Sequence, residues 1–169
     1  DDIEKLNNIT YLYSIAEIRG KLGDSNSALQ TFLTSMDSLD SFFNNLQNHT
    51  NKRKLKKTIY SLYQGAISTA LETKNDTLAF HFLQRGKGSL LSANMANQVS
   101  QKGIPTYNVR GINEVQEKIR KENTSILEYF IGNDSLLIFH LDGNKLEYIS
   151  KRWDSDITSL IKSFRRRIS

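Results

Sequence analysis

The chain has 169 residues, of which 38% are apolar and 24% charged, with a formal net charge of +5. This composition excludes an intrinsically disordered chain, and no apolar run reaches the roughly 20 residues of a membrane-spanning helix. Cysteine is absent, which excludes disulfides, thiolate nucleophiles and thiolate metal sites. We predict no catalytic residue, cofactor site or metal site in these residues. No signal peptide is visible, and we expect a cytoplasmic protein.

The first half of residues 1–98 predicts an antiparallel helical hairpin. Apolar residues recur at helical spacing over about 3–22, and Gly23-Asp24-Ser25 then ends this helix and caps the next. The polar stretch 44–51 indicates a turn after the second helix. The residues expected to face inward are Leu6, Ile9, Tyr13, Ile15, Ala16 and Ile18 in the first helix, and Ala28, Leu29, Phe32, Leu33, Met36, Leu39 and Phe43 in the second.

The second half of this segment predicts another hairpin. Its helices cover about 52–73 and 76–97, and Asn75-Asp76 separates them. The residues expected to face inward are Leu55, Ile59, Leu62, Tyr63, Ala66 and Ala70 in the third helix, and Leu78, Ala79, Phe82, Leu83, Leu90, Leu91 and Met95 in the fourth.

The character of the chain changes after residue 98. Residues 99–111 contain Gly103 and the single proline, Pro105, and are predicted to form a linker. Residues 112–169 form a second predicted domain with a short helix, three strands and a final helix. The predicted helix covers 112–121, the strands 125–131, 135–141 and 145–151, and the last helix begins near Ser155. The whole chain is therefore predicted to be α+β, with helical hairpins followed by a three-stranded antiparallel β-meander.

Several single residues in these strands, in the turns and in the helices could carry chemistry. The first strand is apolar except for Glu128, so we expect it to be covered on both faces and Glu128 to pair with a lysine or arginine. We expect Gly143 to supply a positive φ in the hairpin turn after the second strand. His140, His49 and His81 have no nucleophile that the sequence places beside them, and we expect structural roles for them.

The glycine-rich run from Arg85 to Ser89 does not have the spacing of a phosphate-binding loop and falls inside a predicted helix. We expect Gly86 and Gly88 to allow close helix packing instead. The basic clusters at 52–57 and 165–167 are expected to be solvated helix ends, with a nucleic-acid contact as the alternative.

Two sets of residues resemble a known family. The residues of the first hairpin that fit the tetratricopeptide pattern are Ala16, Gly23, Ala28, Phe32 and Ser35. Further along, Ala79, Gln84-Arg85-Gly86-Lys87 and Leu90-Leu91 resemble the last repeat helix of CHAT proteins, in which a caspase-like domain is attached to tetratricopeptide repeats. Leu127-Glu128-Tyr129-Phe130 and the segment 157–169 with its Phe-Arg-Arg are similar to the start of that caspase-like domain.

The resemblance covers about residues 9–169 and implies the front part of a longer protein. The family's catalytic histidine and cysteine lie on later strands, and no histidine of this chain matches the catalytic one. The resemblance therefore implies a non-catalytic scaffold that binds a protein or peptide through the first helices of its hairpins, ahead of a caspase-like cysteine peptidase. Whether that peptidase is active is not implied.

Two alternatives to this reading stay open, namely a small helical adaptor with no link to proteolysis and a basic nucleic-acid-binding module. We also expect self-association through an open edge of the sheet, since its first strand would lack neighbours.

Overall fold

The computed structural model describes residues 2–44, 52–95, 111–132, 135–152 and 159. Within them the chain forms five α-helices and one three-stranded antiparallel sheet, which confirms the α+β prediction. The chain divides into two compact units, Asp1–Gly111 and Ile112–Ser169, and each is described by itself. Most of the predicted turn over 44–51, the predicted linker and the predicted final helix lies outside the described residues.

The first unit contains four helices that pair in chain order. Their bounds are α1 Asp2–Lys21, α2 Ser25–Asn44, α3 Lys52–Glu72 and α4 Asp76–Met95. The closest packing is between α1 and α2 and between α3 and α4, and α2 and α3 join the two pairs. The helices therefore form two successive hairpins with the boundaries that the sequence pattern indicates.

Both hairpins use the same turn, and this fixes their register as a repeat. The chain leaves α1 through Gly23 (φ 85°) and α3 through Lys74 (φ 58°), each two residues after the last helical residue. This left-handed conformation lets the next amide bond back to a carbonyl five residues earlier. The side chains of Asp24 and Asn75 then cap α2 and α4 by accepting the amide protons of Ser27 (3.2 Å) and Leu78 (3.0 Å). Equivalent positions in the two hairpins are thus 51 residues apart.

The core of the first unit lies between the hairpins and is apolar. Its fully buried larger side chains are Ile9, Phe32, Met36, Leu39, Ile59, Leu62, Ile67 and Phe82. Glycine allows the closest helix approaches, because a Cβ on Gly65 would lie 2.9 Å from Cζ of Phe32 and one on Gly86 would lie 2.8 Å from Cγ of Tyr63. The packing role expected of Gly86 is therefore confirmed, and Gly88 is also buried.

Some residues of the predicted core are exposed instead. Ile18 is 57% exposed and Leu91 is 46% exposed, so the prediction that they face inward is wrong. Both lie on the side of their helix away from the hairpin partner, because the packed side carries Ala16 in α1 and Phe82 in α4. Conversely, Phe42 and Phe80, which the pattern did not select, are each only 5% exposed.

The second unit begins with a helix and continues as a β-meander. The elements are α5 Ile112–Glu122, β1 Ile126–Ile131, β2 Ser135–Leu141 and β3 Leu146–Arg152, and the sheet order is β1-β2-β3. Tyr129 pairs with Ile138, and Ile138 with Ile149. The inner face is formed around Leu137, Phe139 and Leu141, which are at most 6% exposed.

The prediction that β1 is covered on both faces is wrong for this structure. Leu127 and Tyr129 are each 54% exposed, and Ile131 is 45% exposed. Only the alternate residues of β1 share the inner face, where Glu128 is half-buried opposite Phe139. An apolar strand shows that both faces can be covered, but it does not show that both are covered within one chain.

The β2–β3 turn is built by an aspartate and by a close helix approach. The side chain of Asp142 accepts the amide protons of Asn144 (2.7 Å) and Lys145 (2.8 Å), and these bonds lower its pKa. Gly143 does not adopt the expected positive φ. Glycine is needed there because a Cβ would lie 2.8 Å from Cβ of Arg120 on α5, whose guanidinium donates to the carbonyl of Gly143.

Candidate protein-binding surface

Helix α1 carries apolar side chains on the face opposite the core. We call this face the outer stripe and define it as Tyr11, Ile18 and Leu22, which are 66%, 57% and 80% exposed. The three residues follow one another at spacings of seven and four, so they lie along one side of the helix. An aligned set of exposed apolar residues on a helix that also buries Leu6, Ile9 and Ala16 is typical of a surface that binds another element.

The hairpin repeat shows what such a face does elsewhere in the chain. The positions equivalent to Tyr11 and Ile18, 51 residues later, are Leu62 and Thr69 of α3. These are 0% and 7% exposed, because α3 packs against the preceding hairpin, with Thr69 3.6 Å from where a Cβ on Gly20 would stand. At these two positions the helix face is buried in the second hairpin and open in the first, whereas Thr73, the equivalent of Leu22, is exposed.

Helices α1 and α3, the first helices of the two hairpins, also meet along a polar side. Tyr13 of α1 lies near Glu17 on its own helix and near Ser61 on α3. Burial raises the pKa of Tyr13 to about 12, and the nearby Glu17 carboxylate adds to this. The Tyr13 ring also lies 6.4 Å from that of Phe32, centroid to centroid. This side of α1 carries a hydroxyl and a carboxylate.

A cleft of about 460 Å³ runs between α1 and α2. Buried Ile9 and Phe42 contribute the apolar part of its lining, and Lys5 and Asp37 contribute opposite charges. The remaining lining residues are Asn8, Thr34, Ser38 and Ser41.

The run from Arg85 to Ser89 is structural in this unit. Arg85 is 15% exposed at its side chain and donates to Asp37 (2.6 Å) and Asp40 (2.6 Å) on α2. Burial alone lowers the pKa of Arg85, but the bonds to both carboxylates outweigh it and the pKa is raised. Ser89 lies 3.0 Å from the buried hydroxyl of Tyr63. These residues tie α4 to α2 and α3, and they form no loop that could hold a phosphate.

The other residues considered for chemistry are not gathered into one site. His140 lies beside Glu147 at 4.0 Å on the sheet, and burial lowers the pKa of His81 on α4, with the Arg85 cation adding to this. Among the described residues no group of histidine and acidic side chains could hold a metal ion. His49 and the 165–167 cluster lie outside them, and Lys56 and Lys57 of the other basic cluster are exposed on α3.

The outer stripe is the feature that the sequence pattern missed. Tyr11, Ile18 and Leu22 repeat at helical spacing, 100–180° around α1 from the core residues, and this second period was available in the sequence.

No helix in the described part of the chain is both long and apolar enough to cross a membrane. A scan of protein-family models, a search of curated proteins and a search of solved structures each returned no match.

Proposed function

We propose that the first unit is a protein-binding scaffold of the tetratricopeptide type, within a cytoplasmic protein that continues into a caspase-like CHAT domain. In this proposal the histidine and cysteine of the peptidase lie outside residues 1–169, and this chain binds rather than cleaves. The observation that carries the proposal is the outer stripe, an apolar helix face of which two positions, Tyr11 and Ile18, have buried equivalents in the second hairpin.

The chemistry of the stripe defines the partner. Tyr11, Ile18 and Leu22 offer aromatic and aliphatic surface, which fits the apolar side of an amphipathic helix. Burying a half-exposed side chain of this size contributes roughly 1 kcal/mol. A partner that covers Tyr11 and Ile18 thus gains about 2 kcal/mol from them, or roughly 30-fold in affinity.

The test is selection of binders from a displayed library of amphipathic helical peptides against the whole chain. We expect enriched peptides whose affinity falls by roughly 30-fold when Tyr11→Ser and Ile18→Ser are combined. The matched control combines Ile3→Ser and Leu91→Ser, apolar residues of the same unit that lie outside the stripe at 50% and 46% exposure. Peptides should bind this control as they bind the wild type. No enrichment, or equal binding to the stripe variant, would contradict the proposal.

The link to a peptidase has its own test. A longer reading frame that encodes this chain should continue into strands bearing a histidine and a cysteine, and its product should cleave peptides only when both are intact. A reading frame without them would support the adaptor alternative. Steeply salt-dependent retention of nucleic acid that is lost in Lys56→Glu, Lys57→Glu would instead favour the nucleic-acid alternative.

A further inference from the structure

One face of the sheet in the second unit is apolar and open. The residues on this outer face are Leu127, Tyr129 and Ile131 of β1, Leu136, Ile138 and His140 of β2, and Glu147, Ile149 and Lys151 of β3. Six of the nine are apolar, and Leu127, Tyr129, Ile131 and Ile149 are between 45% and 56% exposed. The solvent side of an antiparallel sheet is ordinarily polar, so this pattern indicates a face that is covered in use.

Strand pairing arranges these nine residues in three rows across the sheet. The central row is Tyr129, Ile138 and Ile149, and it is entirely apolar. One flanking row ends on β3 at Glu147 and the other at Lys151, so opposite charges stand at equal distances on either side of Ile149. If a second copy of this face is turned by 180° about the central row, its Glu147 lies opposite Lys151 of the first copy.

We propose that this outer face binds a second copy of the chain, sheet to sheet, about a two-fold axis that follows the central row. A rotation about that axis exchanges the two flanking rows, so the row that ends at Glu147 in one copy lies over the row that ends at Lys151 in the other. Glu147 of one copy then faces Lys151 of the other at both ends of the dimer, and the central rows pack on each other. Long charged side chains tolerate the rotation of about 30° between packed sheets.

The size of the patch sets the expected strength. Three strands about 4.8 Å apart and rows about 6.8 Å apart span roughly 10 by 14 Å at the backbone. A standard interface buries about 800 Å² per partner, which is more than this patch supplies. We therefore expect a reversible dimer that dissociates on the order of 10–100 μM.

The neighbouring charges do not remove this complementarity. Glu147 already accepts from Lys145 at 2.8 Å and lies 4.0 Å from His140, so its carboxylate is partly neutralised in one copy. Lys151 of a second copy would approach from above the sheet, where both side chains are exposed. The interaction is then a rim contact that selects the orientation of the copies, while the apolar rows supply the affinity.

A charge-exchange experiment tests this arrangement with the full chain. Sedimentation velocity from about 10 to about 300 μM should show a monomer–dimer equilibrium for the wild type. Lys151→Glu alone should weaken dimerisation at least tenfold, because Glu147 then faces glutamate, and Glu147→Lys alone should do the same. An equimolar mixture of the two variants should dimerise again, since each variant complements the other at both ends.

The matched control is Arg152→Glu, which makes the same charge change one residue along β3 on the opposite face of the sheet. It should dimerise like the wild type. A wild type that stays monomeric over the whole range, a Lys151→Glu variant that associates as the wild type does, or a mixture that stays monomeric would each overturn the proposal. Larger assemblies that neither single variant reduces would show edge pairing instead and would overturn it as well.

Discussion

Gly86 offers the sharpest test of how the two hairpins pack. An alanine there would place its Cβ 2.8 Å from Cγ, 3.1 Å from Cδ1 and 3.2 Å from Cβ of Tyr63. Cβ of Tyr63 cannot move by a change of rotamer, and because Tyr63 is only 2% exposed its ring has no open space to turn into. The clash can be relieved only if helices α3 and α4 separate.

Two opposing terms decide the size of the effect. Overpacking of a core typically costs up to about 3 kcal/mol, whereas replacing glycine by alanine inside a helix gains about 1 kcal/mol. We expect Gly86→Ala to lower the free energy of unfolding by about 1–2 kcal/mol and the midpoint temperature by roughly 5–12 °C. The loss should be visible in the far-ultraviolet circular dichroism, because four of the five described helices belong to this unit.

Gly20→Ala is the matched variant with the opposite expected sign. Its Cβ would lie 3.6 Å from Oγ1 of Thr69 and 3.9 Å from Cβ of Ala28, which are ordinary contacts. The helical gain is then uncompensated, and we expect stabilisation by about 0.5–1 kcal/mol. If Gly86→Ala is as stable as Gly20→Ala, the close α3–α4 approach described here is incorrect.

Three further outcomes follow from particular contacts. Asp24→Ala and Asn75→Ala should each cost about 1 kcal/mol in urea unfolding, since each removes one helix cap; equal stability to wild type would count against the shared turn. Ser89→Ala should cost more, about 1–2 kcal/mol, than Tyr63→Phe, because only the former leaves a buried hydroxyl unpaired; the reverse order would refute that pairing. Burial raises the pKa of both Tyr13 and Tyr63 above the ordinary 10.0. Their neutral forms should stabilise the fold fully below about pH 10, and stability should fall as pH rises further. In the double variant Tyr13→Phe, Tyr63→Phe the free energy of unfolding should fall less steeply above pH 10. An unchanged slope would contradict the assignment of this decline to the two tyrosines.

The sequence pattern predicts the elements well because each is specified locally. Gly23 and Asn75 mark helix boundaries through turn conformation and capping, and the change from helical to alternating periodicity after residue 122 marks the sheet. Hydrophobic period identifies residues that share a face, but it does not identify what covers that face. This is why Ile18 and the outer residues of β1 were expected to be buried.

Contacts between distant segments could not be predicted in the same way. Arg85 binds Asp40 across 45 residues of chain, and nothing in the local pattern selects that carboxylate over others. The requirement for glycine at position 143 is another example. It comes from the close approach of Arg120 on α5 and not from the conformation of the turn. The candidate surface was likewise visible as a second period on α1, yet only the buried equivalent on α3 shows how such a face is used.

The contact between Phe32 and Gly65 means that the two hairpins can pack in only one order along the chain. The position in the first hairpin that corresponds to Gly65 is Ser14, which already carries a Cβ and donates its hydroxyl to the carbonyl of Thr10. A helix identical to α2, placed before α1, would drive its phenylalanine into that side chain. The hairpins therefore cannot be shuffled or copied as equal building blocks, and any helix that docks ahead of α1 must be shaped differently from α2.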